Sequence, residues 1–398
     1  MRRRRALTQL TASSLILALA SIGPAMPAGA AQTAKAPVNV GLIYSKTGLL
    51  AGYGAQYAEG FRIGLDYATH GTGAAAGHKI VVTERDDTGD PAKAVAAAKD
   101  LIGQGYKIIA GSTSSGVALQ LAPLAKENRT LFISGAAAAD AITGNNRYTF
   151  RSGRQTYEDV ATSAAIVGNM RGKKVLVFAQ DTAFGQANFK AVQAVLGPDG
   201  AAVSSLYVPL SANDFAPFAQ KAKDAKADLV YVAWAGTTAA AMWRSLDDQG
   251  VFSVSKVVTG LDQRSSYQTF APVAGKLAFL SHYFYQAPNT KANAFLVAAL
   301  KREGKVPDLF DPDGFVAAQM IVRAVAKADG DDVTAMISAL EGWSFNAPKG
   351  HQTIRAADHA MLQPMFVAKL SGAGGNVEPQ LLKTLAPLAV APPIRPFK

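Results

Sequence analysis

The tightest constraint in this sequence is an alternation of short apolar runs with helical ones, sustained from Val38 to Thr259. Val38 to Tyr44, Lys79 to Thr83, Ile108 to Ala110 and Leu131 to Ser134 are too short and too evenly apolar for helices, and read as buried strands. Between them, Gln56 to Tyr67, Ala92 to Gly103 and Val117 to Lys126 carry apolar residues at helical spacing. Asp90-Pro91 opens the second helix: Asp accepts from free backbone amides, and Pro occupies the first turn, where its missing N–H costs nothing. Gly105 closes it. A second block repeats the pattern, with helices at Val160 to Asn169, Phe184 to Leu196, Phe215 to Lys223 and Thr237 to Asp248. Its strands are Lys174 to Ala179, Ala202 to Val208, Leu229 to Trp234 and Lys256 to Thr259. Such alternation builds parallel sheets covered by helices on both faces. Two blocks in succession predict an α/β fold of two doubly wound parallel-sheet lobes.

After Tyr285 the pattern changes. Three helical stretches (Lys291 to Arg302, Gly314 to Ala328, Val333 to Leu340) precede short strands around Ser344 and Met365 to Leu370. This helix-rich section is expected to complete the first lobe. The tail from Leu385 to Lys398 holds four prolines, which rules out a helix or a central strand and predicts a surface course.

The first residues read as an export leader. Arg2 to Arg5 form a basic head, Leu7 to Ile22 an apolar run, and Ala28-Gly29-Ala30 a small-residue cleavage site. The run is shorter than the roughly 20 residues of a membrane span. The chain has no cysteine, so thiolate metal sites, disulfides, a cysteine nucleophile and a lipid-modified N-terminal cysteine are excluded. A periplasmic protein without a lipid anchor is expected. The formal charge of +11 falls to +7 once a leader ending at Ala30 takes Arg2 to Arg5 with it. The remaining Lys and Arg are scattered, with no basic stripe or interleaved aromatics, so nucleic acid is not an expected partner.

Enzyme signatures are missing. No GxGxxG follows a strand, and there is no GxxxxGK[ST], GxSxG or HExxH. The five histidines (His70, His78, His282, His351, His359) lie far apart, and Asp86-Asp87 is explained by capping and turn formation. No metal or cofactor is expected. What the sequence offers instead are small and polar residues just after strands, where ligands of open parallel sheets bind. These loops are Ser45 to Tyr53, Gly111 to Gly116 and Gly135 to Ala139. The second, Gly-Ser-Thr-Ser-Ser-Gly, opens a helix and reads equally as a carboxylate cradle or as a plain Ser cap.

Taken together, these residues resemble the leucine/isoleucine/valine-binding family of periplasmic receptors that serve ABC transporters. The matching text includes Val38 to Ile43 with Thr47-Gly48 and Tyr53-Gly54, then Arg85 to Pro91, Ser114-Ser115 and Ile133-Ser134. In the second block it includes Gln180 to Gly185 and Thr259-Gly260. It runs in one register over almost the whole chain beyond the leader. The resemblance implies a type I periplasmic binding fold whose lobes are joined by a three-strand hinge. The expected division is a signal peptide at 1–30, an N-terminal lobe from 38–153 with 285–361, and a C-terminal lobe from 154–284 with 362–398. It further implies a monomer that binds a small-molecule ligand in the interlobe cleft, closes on it, and delivers it to an ABC permease without catalysis.

Residue by residue, the resemblance places Tyr53, in the first loop, against the ligand side chain and Ser114 or Ser115 on the ligand carboxylate. The Ala136 backbone touches the ligand, and Asp262 stands where an acidic residue pairs with a ligand ammonium. Three departures point to an altered pocket. The family's carboxylate-binding Thr falls on Ala138, Asp262 is one methylene shorter than the usual Glu, and Thr237 or Thr238 replaces an aromatic. The wider family also takes aromatic acids, oxo acids, amides and urea. Arg151, Arg154, Gln155 and Tyr157 lie near the first expected crossing, where a guanidinium could clamp a carboxylate or merely form an interlobe ion pair. Phe184 and Tyr283 are candidate aromatic walls, with core packing as the alternative, and Trp234 fits pocket or core. Two other functions share the fold: a ligand sensor feeding a signalling protein, and an open-sheet enzyme.

Overall fold

The computed structural model describes residues 35–273, 275, 277–372 and 377–397. The expected leader lies outside them. The first block forms a six-stranded sheet in the order Ala74–Ala75, His78–Asp86, Lys35–Tyr44, Ile108–Gly111, Leu131–Ser134, Thr149–Arg151. All its pairings are parallel except the short edge strand Ala74–Ala75. The second block forms a seven-stranded sheet in the order Glu378–Leu385, Met365–Ser371, Leu277–Ser281, Lys256–Gly260, Leu229–Ala233, Lys174–Gln180, Ala202–Val208. Here the parallel ladder ends on two antiparallel strands supplied from the end of the chain. The fold is thus the expected two α/β lobes, each sheet parallel except for antiparallel strands at one edge. Met365–Ser371 enters the sheet on the chain's return from the first lobe, and Glu378–Leu385 follows it by direct reversal. No helix among the described residues is long and apolar enough to cross a membrane.

Two helices begin a turn earlier than their periodicity suggests. The first runs Ala51–Ala68, so Tyr53 stands in its first turn and not in the preceding loop. The other runs Thr156–Val167 behind a capping box, in which the Glu158 side chain accepts from the Gln155 N–H at 3.0 Å.

The first lobe depends on an unusually close helix pair. Helix Ala51–Ala68 crosses Asp311–Ala328 so tightly that a Cβ on Gly60 would lie 1.9 Å from the Asp311 carbonyl oxygen. A Cβ on Gly314 would lie 1.9 Å from the Tyr57 carbonyl oxygen. Both obstacles are backbone and cannot swing aside.

The chain passes between the sheets three times, after Arg151, after Ser281 and after Leu362. The final residues lie against the segment around Arg355 to His359. Arg355, in the first-lobe portion, donates to the Pro392 carbonyl at 2.8 Å, the Arg395 N–H donates to Asp358, and Phe397 packs on His359 at 4.6 Å.

Gly60→Ala and Gly314→Ala are each expected to cost about 2–3 kcal/mol, since an added methyl forces backbone movement in a packed core. Urea unfolding of the purified variants checks this.

Candidate functional site

A cavity of about 410 Å³ lies between the two sheets, a size suited to a small organic ligand. Loops beyond the carboxyl ends of the strands wall it from both sides. On the first-lobe side the loop after Ile108–Gly111 leads into helix Ser115–Glu127, whose first amides receive no side-chain cap. Ser112 in this loop holds φ +76°, a conformation uncommon outside glycine. It is kept there by its N–H on the Ile43 carbonyl (2.6 Å) and its hydroxyl on the Ser114 carbonyl (3.0 Å). Ser115 Oγ accepts from the Ala139 N–H at 3.2 Å, leaving its hydroxyl proton free to donate. Ser114, Ser115 and the open amides therefore present a set of donors to the cavity.

Beside them sits Arg154, which is 8% exposed. Its Nη1 donates to the Ala136 carbonyl at 2.9 Å, its Nε lies 3.3 Å from Asp159 Oδ2, and its guanidinium covers the Phe310 ring at 5.5 Å. The geometry at Nε is too poor for a hydrogen bond, so that buried N–H is left unsatisfied. Burial pushes the Asp159 carboxyl up to about 6, against the pull of Arg154. His282 donates from Nε2 to the Leu309 carbonyl at 2.9 Å. Burial, reinforced by Arg154, pushes its pKa well below the ordinary value, so the ring is neutral and Nδ1 is an acceptor. Phe310 lies between Tyr53 (4.9 Å) and His282 (5.1 Å).

The lobes meet directly across the cleft. The Tyr53 hydroxyl donates to Asp262 Oδ1 at 2.6 Å and accepts from the Gly236 N–H at 3.2 Å. Asp262 Oδ1 also accepts from the Gln263 N–H at 2.8 Å. Gln56 Nε2 reaches Gln263 Oε1 (3.3 Å) and Asp308 Oδ2 (3.1 Å), and the Arg264 N–H donates to that same Asp308 oxygen at 2.9 Å. Burial raises the Tyr53 phenol well above its ordinary pKa and the Asp262 carboxyl above its own, so the proton stays on Tyr53. The conformation is closed.

This architecture has counterparts among known proteins. A family model described as periplasmic binding protein matches residues 37–376. The chain belongs to this family. The crystal structure of an ABC-type branched-chain amino acid transporter from Rhodopseudomonas palustris CGA009 superposes with a TM-score of 0.75 at 33% identity, covering 91% of this chain and all of that one. The solute binding protein of an ABC transporter from R. palustris BisB5, in complex with 3,4-dihydroxybenzoic acid, gives 0.77 at 26% identity over 88% of this chain and 97% of that one. A Leu/Ile/Val-binding protein homolog 3 from Brucella melitensis is 25% identical over 325 residues, 80% of this chain and 87% of the relative.

In this periplasmic binding protein the cavity wall includes Tyr53, Ser114, Ser115, Ala136, Ala138, Arg154, Phe184 and Asp262. Two expected residues lie elsewhere. Thr237 is exposed beside the loop that holds Gly236. Tyr283 is fully buried, its hydroxyl donating to Asn293 Oδ1 at 2.7 Å, because the chain has turned into the crossing and aims it at helix Lys291–Arg302. Of the residues weighed at the first crossing, Arg154 lines the cavity, whereas Arg151 is fully buried and donates to Thr143 and to the carbonyls of Arg154 and Ala139. Trp234 lines the cavity while its Nε1 donates to Thr238 Oγ1 at 3.0 Å, which makes Thr238 a support. His282, Phe310, Asp159 and Tyr231 also line the cavity and were not anticipated. His282 directly follows strand Leu277–Ser281, so the rule that ligands gather beyond strand ends could have found it. Phe310 stands at the N-cap of helix Asp311–Ala328, whose Pro312 falls in the first turn, a helix-start signal present in the sequence.

Next to Asp159, the hinge buries a polar chain. The Lys349 ammonium pairs with Asp313 and donates to Gln363 Oε1 at 3.0 Å, and Gln363 Nε2 donates to Glu158 Oε2 at 3.2 Å. Burial pushes the Glu158 carboxyl up to about 8. The folded protein therefore holds a proton that the unfolded chain releases near 4.5, and the resulting stability is lost as pH rises from about 4.5 through about 8. Between pH 5 and pH 8 the wild-type melting temperature is expected to lose ground to that of Glu158→Gln, a difference that differential scanning calorimetry of the two proteins across that range checks. Asp159 leaves a residual slope between its ordinary 3.8 and about 6 in the variant.

Proposed function

We propose that this periplasmic binding protein is the solute receptor of an ABC importer: exported, not lipid-anchored, and non-catalytic. It takes a small carboxylate-bearing ligand into the interlobe cavity and passes it, chemically unchanged, to a membrane permease. The observation that carries this reading is the convergence of Ser114, Ser115, uncapped helix amides and Arg154 on one cavity between two lobes. A carboxylate suits that end because charge-assisted hydrogen bonds and the helix N-terminus act on it together. The body of the ligand would lie among Tyr53, Phe184, Trp234 and Phe310. The similar proteins include one described as a branched-chain amino acid transporter and one solved with 3,4-dihydroxybenzoic acid, and both ligand classes bear a carboxylate.

Binding and closure follow from the same geometry. In the open state the first lobe holds the carboxylate on Ser114 and Ser115, with Arg154 reaching it from the first crossing. Rotation about the three crossings brings in Asp262, Gly236 and the aromatic wall of the second lobe. Water leaves, each polar contact strengthens, and the closed shape becomes the signal that a permease recognises.

Thermal-shift screening against leucine, isoleucine, benzoate and 3,4-dihydroxybenzoate tests the reading, because a true ligand raises the midpoint by mass action. Small-angle scattering should show compaction with the same ligand. Ser115→Ala should weaken binding about tenfold or more, the loss of one hydrogen bond to a charged group. A protein that binds no carboxylate, or turns one over, would falsify the proposal.

A further inference from the structure

We infer that the ligand bears, besides its carboxylate, a group that donates a hydrogen bond, an O–H or an N–H, and that Asp159 Oδ1 receives it. The inference rests on the carboxylate-receptor reading above and deepens it. Among the described residues that line the cavity, two buried side-chain polar atoms lack a hydrogen-bond partner: Arg154 Nε and Asp159 Oδ1. Both belong to one ion pair, with Arg154 Nε 3.3 Å from the other oxygen of Asp159, and Asp159 is only 4% exposed. Buried polar atoms are almost always paired, because an orphan gives up its hydration and gains no bond in return. An orphaned acceptor beside an orphaned donor on a cavity wall marks where a ligand with both kinds of group would settle.

The donors around Asp159 are committed elsewhere. The Tyr231 hydroxyl donates to Asn188 Oδ1 at 3.2 Å, the Ser163 hydroxyl to the Asp159 backbone carbonyl at 3.2 Å, and Arg154 Nη1 to the Ala136 carbonyl at 2.9 Å. The neutral His282 places its one ring proton on the Leu309 carbonyl. Burial pushes Asp159 up only to about 6, so at neutral pH the group is ionised and Oδ1 accepts without donating. Asp262, the other buried carboxylate of the cavity, differs in that the protein itself serves it, through the Tyr53 hydroxyl at 2.6 Å and the Gln263 N–H at 2.8 Å. Its need is partly met, whereas nothing meets that of Asp159 Oδ1. A hydroxyl or amine on the ligand supplies the bond, while the ligand carboxylate goes to Ser114, Ser115 and Arg154. An acid without such a group shuts the cleft over an unpaired anion oxygen and binds more weakly for it.

Isothermal titration with two pairs of acids tests the inference: 3,4-dihydroxybenzoate against benzoate, and leucine against 4-methylpentanoate, which is leucine without its amino group. In one pair, wild type should bind the donor-bearing acid at least about tenfold more tightly than the bare one. The first pair showing this assigns an O–H to Asp159, the second an N–H. Asp159→Asn should abolish most of that preference, because its amide oxygen turns to Arg154 and its NH2 then meets the ligand donor. Asp262→Asn should leave the preference in place. Bare acids bound by wild type as tightly as their partners would overturn the inference and leave the carboxylate receptor standing. So would a preference that survives Asp159→Asn, or one that Asp262→Asn removes. If Asp159→Asn fails to fold, the wild-type comparison and Asp262→Asn still decide. No heat with any of the four acids would sink the carboxylate reading itself, and this inference with it.

Discussion

One hydroxyl group joins the two halves of this protein. The Tyr53 phenol gives its proton to Asp262 and receives one from Gly236, so a side chain from the first lobe satisfies two groups of the second. Each of those groups is buried by the approach that brings the other. The cleft closes as a unit because leaving any one of the three unpaired in a dry interface costs more than the bond itself contributes. Gln56 and Asp308 repeat the arrangement further along with Gln263 and Arg264. The geometry of the cavity follows from how this seam is made.

The hinge is built on the opposite principle. Lys349 and Asp313 are completely buried, and Gln363, Gln352 and Glu158 extend the polar chain through the crossings. Such pairs add little net stability, since desolvation offsets most of the attraction. Their value here is geometric. An amide that must meet both a lysine of one lobe and a glutamate of the other fixes the path of the connecting strand, while the seam across the cleft stays free to open. Helices Ala51–Ala68 and Asp311–Ala328, pressed together at glycines, give the first lobe the stiffness to move as a body.

The end of the cavity near Ser114 and Ser115 consists mostly of backbone and small side chains. On the proposed function, that is how a chain without catalytic or metal-binding motifs would hold an anion. The strained Ser112, the uncapped start of helix Ser115–Glu127 and the alanines after Leu131–Ser134 matter for where they place N–H groups, not for side-chain chemistry. Arg154 adds the one strong charge, and its link to the Ala136 carbonyl keeps it level with those alanines.

Much of this was legible in the chain. Strand–helix alternation is a local property, written in hydrophobic spacing, and it determined the two α/β lobes, the helix start at Asp90-Pro91 and the loops that carry Ser114, Ser115, Ala136 and Ala138. Tyr53 was recognised but placed in a loop, because the glycines of its helical turn hide the periodicity. Tyr283 and Thr237 were misplaced because the direction of a side chain at a strand end depends on how the crossing bends. The tertiary structure alone decided that Tyr53 meets Asp262, 209 positions away, and that His282 and Phe310 gather round Arg154. The physical reason is range: periodicity reports which face of an element is buried, whereas a cleft is formed by segments whose meeting depends on the angle between two lobes, and no local pattern encodes that angle.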